Sequence, residues 1–574
     1  MSLLLILTIA GCSSDSGSKH KSRRDREEEE EEEEKEEEKE EEASEETEEM
    51  QAAPQEELAA AAAEIPEEEE EHELIRHPEI VAQRQNYHES LEGAEHYTEV
   101  LTGRTVMPLL NGKSIAAYPE LAAALKHEAE KTFAEREKEI AQETEDAKTM
   151  YEEMPEYFDG FTDSSDLVIL RSDPKVVSFF FPGYAYTGGA HGMYYNGCAT
   201  YDTLTGEKLT FDDVLKGTPD LMPIILKELE ETYPDMEFLF EPEEALGNYD
   251  ISLSEFQEGT NGEDNRYPYV WGLTPVGAYI YFDAYALNSY AEGDQLILLP
   301  YEKYPELFEE KYLPEEEDSF MLDIGFGSCL FDVNGDGKKD QITIQPHYDE
   351  EDYEYISFFE VIVNDKKIQL PNVWSYYDGH NTCYLIHKGD DKWYLYLKCP
   401  SDSDILSYMY VDITGAKPVY LDRGAFAESY VTLNEEGDYG ELMPADPEAI
   451  RIDSYFDSLG TFAAGKTYHP GEKGVPEPNE DLYEVLWSAT PEPVIILESV
   501  ACSIVDWDGN VVTKEETIQK GETYELLRTD GESFVDVLLG DGRIARIFYT
   551  QKDYHFFIDG VPVEDLFEGI QYAG

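Results

Sequence analysis

The chain has 574 residues, 128 of them acidic and 42 basic, for a formal net charge of −86. A polyanion of this kind excludes nucleic acid as a partner and favours cationic ones. The six cysteines include no Cys-x-x-Cys, and His, Cys and Asp never cluster at zinc-ligand spacing, which excludes a structural zinc site.

Met1–Gly11 is a short apolar run closed by Ile9-Ala10-Gly11-Cys12, too short to span a bilayer. It resembles the signal peptide and lipobox of a bacterial lipoprotein over 1–12, which implies lipid on Cys12 as a membrane anchor. Ser13–Ser18 is a polar linker, and Lys19, Lys21, Arg23, Arg24 and Arg26 add attraction to an anionic bilayer. Glu27–Glu73 is mostly Glu, opposed only by Lys35 and Lys39. Like charges at that density repel and no core forms, so 13–75 reads as an acidic, disordered tether that could reach on the order of 200 Å. Most of the net charge still lies beyond it, and that stretch is long enough for about three or four domains.

From residue 76 the pattern is α+β multidomain. Pro119 opens a long helix, Glu120–Met154, with Leu121, Leu125, Phe133, Ile140 and Met150 as its apolar stripe and Pro155 as its stop. Val176–Phe181 is apolar on both alternating faces, as an interior strand covered on both sides would be. Thr187–Gly192 places three glycines in a tight reversal, and Met193–Tyr201 returns as a second strand. Thr210 caps a short helix, Phe211–Lys216. A helix at Pro219–Tyr233, strands at Ala278–Tyr285 and Gln295–Leu299, and a closing helix at Tyr304–Tyr312 complete the region.

Thr187-Gly188-Gly189-Ala190-His191-Gly192, followed by Asn196, Asp202, Thr205-Gly206 and Leu209–Asp213, resembles the paired domains of unknown function in the RsiV anti-sigma factor and the PdaC peptidoglycan deacetylase. Leu109–Gly112 and Tyr118–Leu121 upstream, and Leu273–Gly277, Tyr290–Gly293 and Leu299–Tyr301 downstream, extend the likeness over about Tyr87–Leu313. It implies two domains, 76–205 and 206–313, on the extracellular face of the membrane. It also implies an extracellular partner, a cationic lysozyme-like protein or a cell-wall component. The loop exposes Gly188, Gly189, His191 and Tyr194 as candidate ligand contacts, with Tyr184 and Tyr195 beside them. His191 is read as a ring packing on its own turn, as a partner contact, or as a catalytic group.

Thr210-Phe211-Asp212-Asp213 resembles the metal and base motif of polysaccharide deacetylases. Val214 stands where that motif has Gly, and the twelve histidines include no His-x-x-x-His pair, so a helix cap is the favoured reading. With no complete catalytic constellation, the expectation is a non-catalytic surface protein that binds an extracellular ligand. The alternatives are a cell-wall-modifying, deacetylase-like enzyme or an envelope scaffold.

Asp332, Asn334 and Asp336 alternate ahead of Gly337, with the Lys338 carbonyl and Asp340 completing the spacing of a calcium loop. This predicts a structural calcium ion within a β module over 318–422, with a metal-free Asp/Gly-rich hairpin as the alternative. Residues 424–494 read as a Pro/Gly-rich connection, and 495–574 as a small SH3-like β domain.

Overall fold

The computed structural model describes residues 75–573, apart from 92–97, 235, 241, 243–268, 316–318, 326–327, 350–354, 372–374, 377–381, 390, 400–405, 427–429, 434–438 and 492. Cys12, the basic cluster and the acidic tether lie outside the described residues. The architecture is mixed α+β, with a long helix in the first region followed by several β-sheets.

Strands β1 (Ile80–Ser90) and β2 (Glu99–Leu110) pair antiparallel, Ile80 opposite Leu110. The next pairing, β2 with β3 (Phe161–Ser165), is parallel. Parallel neighbours need a long crossover, and it is supplied by α1 (Lys113–Ala117) and the 35-residue α2 (Pro119–Glu153). Helix α2 starts at Pro119, where a missing N–H costs nothing, and buries Leu121, Leu125, Ala129, Thr144 and Ala147. Its stripe also buries Arg136, whose guanidinium is paired with Glu139, Glu143 and Asp163.

β4 (Val168–Ser172) and β3 pair with one edge of β5 (Val176–Tyr186), and β6 (Met193–Asp202) pairs with the other. Strand β5 is covered on both faces. Val177, Phe179 and Phe181 pack with Tyr118, Leu121 and Leu125, whereas Val176 packs with Phe211, Trp271 and Ile280. The far edge of this eight-stranded sheet comes from Tyr430–Thr432 and Tyr439–Met443, the latter antiparallel to β1 with Ile80 opposite Met443. These strands fall within the stretch read as a Pro/Gly-rich connection. They are too short to show a period of their own.

The second half of the first region holds α3 (Phe211–Val214), α4 (Met222–Thr232) and an antiparallel sheet of β7 (Val270–Leu273), β8 (Gly277–Phe282) and β9 (Gln295–Pro300). The expected closing helix at Tyr304–Tyr312 is instead a set of turns with one 3-10 turn, Glu310–Tyr312. Tertiary pairing overrides the local helix preference: Lys216 N donates to Leu307 O at 2.7 Å and Glu309 N to Val214 O at 2.9 Å. The same pairing stops α3 two residues early.

Two further sheets share one core that includes Leu322, Ile342, Phe359, Val361, Leu385 and Leu395. Beyond them an eleven-stranded sheet runs from Ile450 to Glu568, and the pairing of Tyr483 with Thr529 carries it across residues 494 and 495. Cys198, Cys329, Cys383, Cys399 and Cys502 are all free thiols. Among the described residues no helix is long and apolar enough to cross a membrane.

The two halves of the first region are joined through a fully buried cation. Arg171 on β4 donates through Nε to Asp173 at 2.6 Å and through Nη1 to the Tyr312 carbonyl at 2.7 Å and the Tyr301 hydroxyl at 3.3 Å. Removing one partner of a buried charged pair costs about 3 to 5 kcal/mol. Asp173 keeps N–H bonds from Lys175 and Val176, so Arg171→Leu should lower the unfolding free energy by about 3 kcal/mol, read from urea denaturation.

Candidate functional site

The glycine-rich reversal joins β5 to β6, with Tyr184 opposite Tyr194 and Ala185 opposite Met193. Gly188 and Gly189 have φ of 92° and 105°, values that L side chains rarely adopt. Gly192 is needed for a different reason: a Cβ there would lie 2.4 Å from the Tyr184 ring. The loop therefore turns tightly and lays His191 against the second half of the region.

His191 stacks on Tyr290, ring centroids 4.1 Å apart, and lies 6.3 Å from Tyr285. Its Nδ1 is 2.8 Å from the Gly192 carbonyl, and its Nε2 is 3.3 Å from the Tyr285 hydroxyl. A carbonyl only accepts, so Nδ1 carries a proton and, in the neutral ring, Nε2 is left as the acceptor. Tyr194 extends the aromatic surface toward Tyr184 at 5.1 Å and Tyr290 at 6.1 Å. Tyr194 and Tyr285 are 41% and 44% exposed, so part of each side chain reaches the surface. The Tyr290 hydroxyl is buried and has no hydrogen-bond partner among the described residues.

Two features mark this cluster as under constraint. Tyr285 has φ of 72°, a left-handed conformation that costs a bulky residue on the order of 1 to 3 kcal/mol. Beside it Asn196 donates through Nδ2 to both Asp283 at 2.6 Å and Asp294 at 2.9 Å. Burial is the main cause pushing the Asp283 carboxyl up to about 6, and the nearby Asp294 charge adds to it against the Asn196 bond.

Of the six residues expected to contact a ligand, Tyr184, Gly188, Gly189, His191 and Tyr194 sit in or beside this loop. Tyr195 points the other way, its hydroxyl donating to Asp163 at 2.8 Å within the Arg136 network. Sequence reasoning leaves out Tyr285, Tyr290, Asp283 and Asp294. Tyr290 lies in the Tyr290–Gly293 segment that carries the family resemblance, whereas the strained backbone at Tyr285 carries no sequence signal.

Thr210-Phe211-Asp212-Asp213 forms a cap. The Asp213 carboxylate accepts from Thr210 N at 2.8 Å and from its hydroxyl at 2.6 Å, and Phe211 is buried against Trp271. Asp213 thus serves its own helix.

The calcium expected at Asp332, Asn334, Asp336, Lys338 and Asp340 is overturned. Among the described residues no group of three or more His, Cys, Asp and Glu side chains is placed to hold a metal ion. The carboxylates instead hold the backbone of an Asp/Gly hairpin. Asp332 accepts from the N–H groups of Gly335 at 2.7 Å and Gly337 at 2.6 Å, and Asp336 from that of Lys338 at 2.8 Å. Asp340 is buried and accepts from Val333 N and the side-chain amides of Asn334 and Asn364. Asn334 therefore turns its amide nitrogen toward Asp340, where a calcium ligand would present oxygen. The next side chain, Lys339, reaches the buried Glu228 on α4 at 3.2 Å. The metal that deacetylase chemistry of the Thr-Phe-Asp-Asp type would employ likewise finds no fitting ligand group among the described residues.

Residues 96–194 match the family model described as deacetylase PdaC. The match spans β2, α2 and the whole glycine-rich loop, so the likeness to PdaC-type domains holds over that segment. It overturns the expectation that the chain is not an enzyme, because the matched family is a deacetylase. No curated protein matches the chain. Among the solved structures similar to it are two of the DUF3298 family. One is a DUF3298-family member from Bacteroides fragilis NCTC 9343, 18% identical, covering 41% of this chain and 96% of its own, with a TM-score of 0.28. The other is a DUF3298-family protein from Pseudomonas aeruginosa PAO1, 16% identical with the same coverages and a TM-score of 0.26.

Two outcomes are expected from these contacts. Asp340→Ala leaves buried donors without their acceptor and should lower stability by about 1 to 3 kcal/mol. The loss should be equal in calcium and in chelator, as read by thermal melting. Asp283 has a folded pKa raised above its ordinary value, so the folded state binds the proton more readily. Its contribution to stability is present at low pH and is lost as pH rises from about 4 to about 6. Asp283→Asn should therefore match wild type near the lower pH and exceed it in stability above the upper one, by on the order of 2 kcal/mol in urea titrations.

Proposed function

We propose that the protein modifies cell-wall polysaccharide outside the cell, as a protein of the peptidoglycan-deacetylase kind tethered to the membrane surface through lipid on Cys12. The observation that carries this reading is the deacetylase PdaC match over 96–194, which ends on the loop bearing His191 and Tyr194. The chemistry of the loop supports it. Sugar rings present C–H faces that pack on exposed aromatic rings, and Tyr194 and Tyr285 offer such rings. The acetamido group of an N-acetylated sugar brings a carbonyl that accepts hydrogen bonds, and the Tyr290 hydroxyl is a buried donor with none.

Amide hydrolysis adds water to the acetamido carbon and breaks the C–N bond. The amine leaves with a proton and acetate is released. The first step needs a base for the water proton and a donor toward the developing oxyanion, and the second needs that proton returned to the leaving amine. His191 Nε2, which accepts from the Tyr285 hydroxyl at 3.3 Å, takes the water proton when that hydroxyl turns to the oxyanion, and returns it to the leaving amine.

The test is acetate release from purified peptidoglycan by the full chain. His191→Ala should lower the rate by about a hundredfold or more, within the usual range for a general base. Tyr194→Ala should raise KM with little change in kcat. Release of no acetate by wild type, together with no cosedimentation with peptidoglycan, would sink the proposal.

A further inference from the structure

Away from the loop, a cavity of about 370 Å3 lies where the eight-stranded sheet, the β7–β9 sheet and the five-stranded sheet beginning at Phe320 meet. That volume is in the range of small-ligand sites, about 300 to 1,000 Å3. Ser328 in its lining is exposed, so the space opens to solvent.

Three of the residues that line it are tyrosines whose hydroxyls the fold leaves unused. Tyr279, Tyr281 and Tyr384 are 8%, 7% and 4% exposed. None of their hydroxyls has a hydrogen-bond partner among the described residues, and none is sealed from solvent, so they open onto the cavity. A phenol this deeply buried ordinarily finds a partner within the protein. Three that find none, around one space, are positions for the polar groups of a ligand or for the water that the ligand displaces.

The rest of the lining is apolar at one end and ionic at the other. Leu170, Phe180 and Leu296 flank Tyr279 and Tyr281 at the first, with Phe180 stacked on Tyr281 at 4.3 Å. Strand register builds the second. Asp323 pairs with Tyr384, and Thr382 pairs with Lys398, so all four side chains come to one face of the five-stranded sheet.

The ions answer one another. Glu441 receives Lys398 Nζ at 2.8 Å and the Arg84 guanidinium, and Asp166 receives Arg104 at 2.6 Å from just outside the lining. Asp323 accepts from the Thr382 hydroxyl and from Gly325 N, the latter at 2.9 Å. Counting Arg104, three cations stand against three carboxylates, so a ligand of either sign would give up its hydration without gaining a counter-ion. What remains is neutral hydrogen bonding, from the three phenols and from the donors of Lys398 that Glu441 does not take.

We infer that this cavity binds an uncharged N-acetylated sugar one or two rings long, its methyl and C–H faces against Leu170, Phe180 and Leu296 and its carbonyl and hydroxyls at the phenols and Lys398. A peptide end would bring a carboxylate or an ammonium group. An aromatic alcohol would bring a single polar group to three open hydroxyls. The site is separate from the glycine-rich loop and performs no chemistry, so it stands whether or not acetate is released there.

The probes are N,N′-diacetylchitobiose, cellobiose and chitobiose, titrated calorimetrically into the full chain at a pH that keeps chitobiose protonated. They share one two-ring frame and differ in a single substituent, which is acetamido, hydroxyl or ammonium. The acetylated dimer should bind at least about tenfold tighter than cellobiose, a difference of about 1.4 kcal/mol, and chitobiose should give no binding heat. The N-acetylated tetramer tells the two sources of such a sugar apart: affinity equal to that of the dimer marks the end of a glycan chain as the occupant, and no affinity marks a free fragment, and both uphold the site. Because the three hydroxyls bond nothing in the protein, Tyr281→Phe and Tyr384→Phe should keep the wild-type urea midpoint while each weakens the acetylated dimer by about three- to tenfold. Tyr194→Ala, at the glycine-rich loop, should leave that affinity unchanged. Absence of binding by the acetylated dimer, equal affinity for the three dimers, unchanged affinity in a folded variant carrying both Tyr281→Phe and Tyr384→Phe, or loss of binding in Tyr194→Ala would overturn the inference.

Discussion

Strand β5 must be covered on both faces, and much of the described fold follows from that requirement. Val177 and Phe179 are fully buried against α2 and its neighbours, Val176 is fully buried against the second half of the region, and Phe180 packs against the core of the β modules. At roughly 1.5 to 3 kcal/mol for each large apolar side chain taken out of water, no single neighbour supplies enough cover. The β7–β9 sheet and the β modules are thus structural parts of the first region. Their placement is what brings the 283–294 segment up to the glycine-rich loop.

Buried charge makes the same joints specific. Arg171 ties β4 to Tyr312, Glu228 on α4 takes Lys303 and Lys339, and Asp536 takes Arg528 and Arg546 in the C-terminal sheet. Each is an acid and base partnership within a strongly acidic chain, the first two at joints between elements and the third within one sheet. The Asp/Gly hairpin belongs to this set. Its spacing suits an ion, but its carboxylates are occupied by backbone N–H and Asn donors, and its Lys339 clasps α4.

What the sequence made legible was local. The two-faced apolar run at Val176–Phe181, the Pro-opened helix, the Gly-rich reversal and the Thr210 cap each follow from a short-range rule, and each appears where expected. What it hid was set by distant partners. Tyr304–Tyr312 abandons helix because Val214 and Lys216 recruit its backbone. Tyr195 turns from the loop because Asp163, itself paired with Arg136, holds its hydroxyl. The candidate site itself was half visible: the loop announces itself by its glycines, whereas Tyr285 and Asp283 owe their properties to a positive φ and to burial that no local pattern encodes.

The pairing of β1 with Tyr439–Met443 has a consequence for how the chain is made. Ile80 emerges during synthesis long before its pairing partner Met443, which follows nearly all of the intervening sheets. Until then one edge of the first sheet stands open, with unpaired N–H and C=O groups that template non-native strand addition. Contacts so far apart in sequence close slowly, because the entropy of a long loop must be overcome before the pairing stabilises anything. A chain interrupted between the β modules and residue 443 would therefore present a sticky, unfinished sheet, and quality-control proteases would meet it at strand β1.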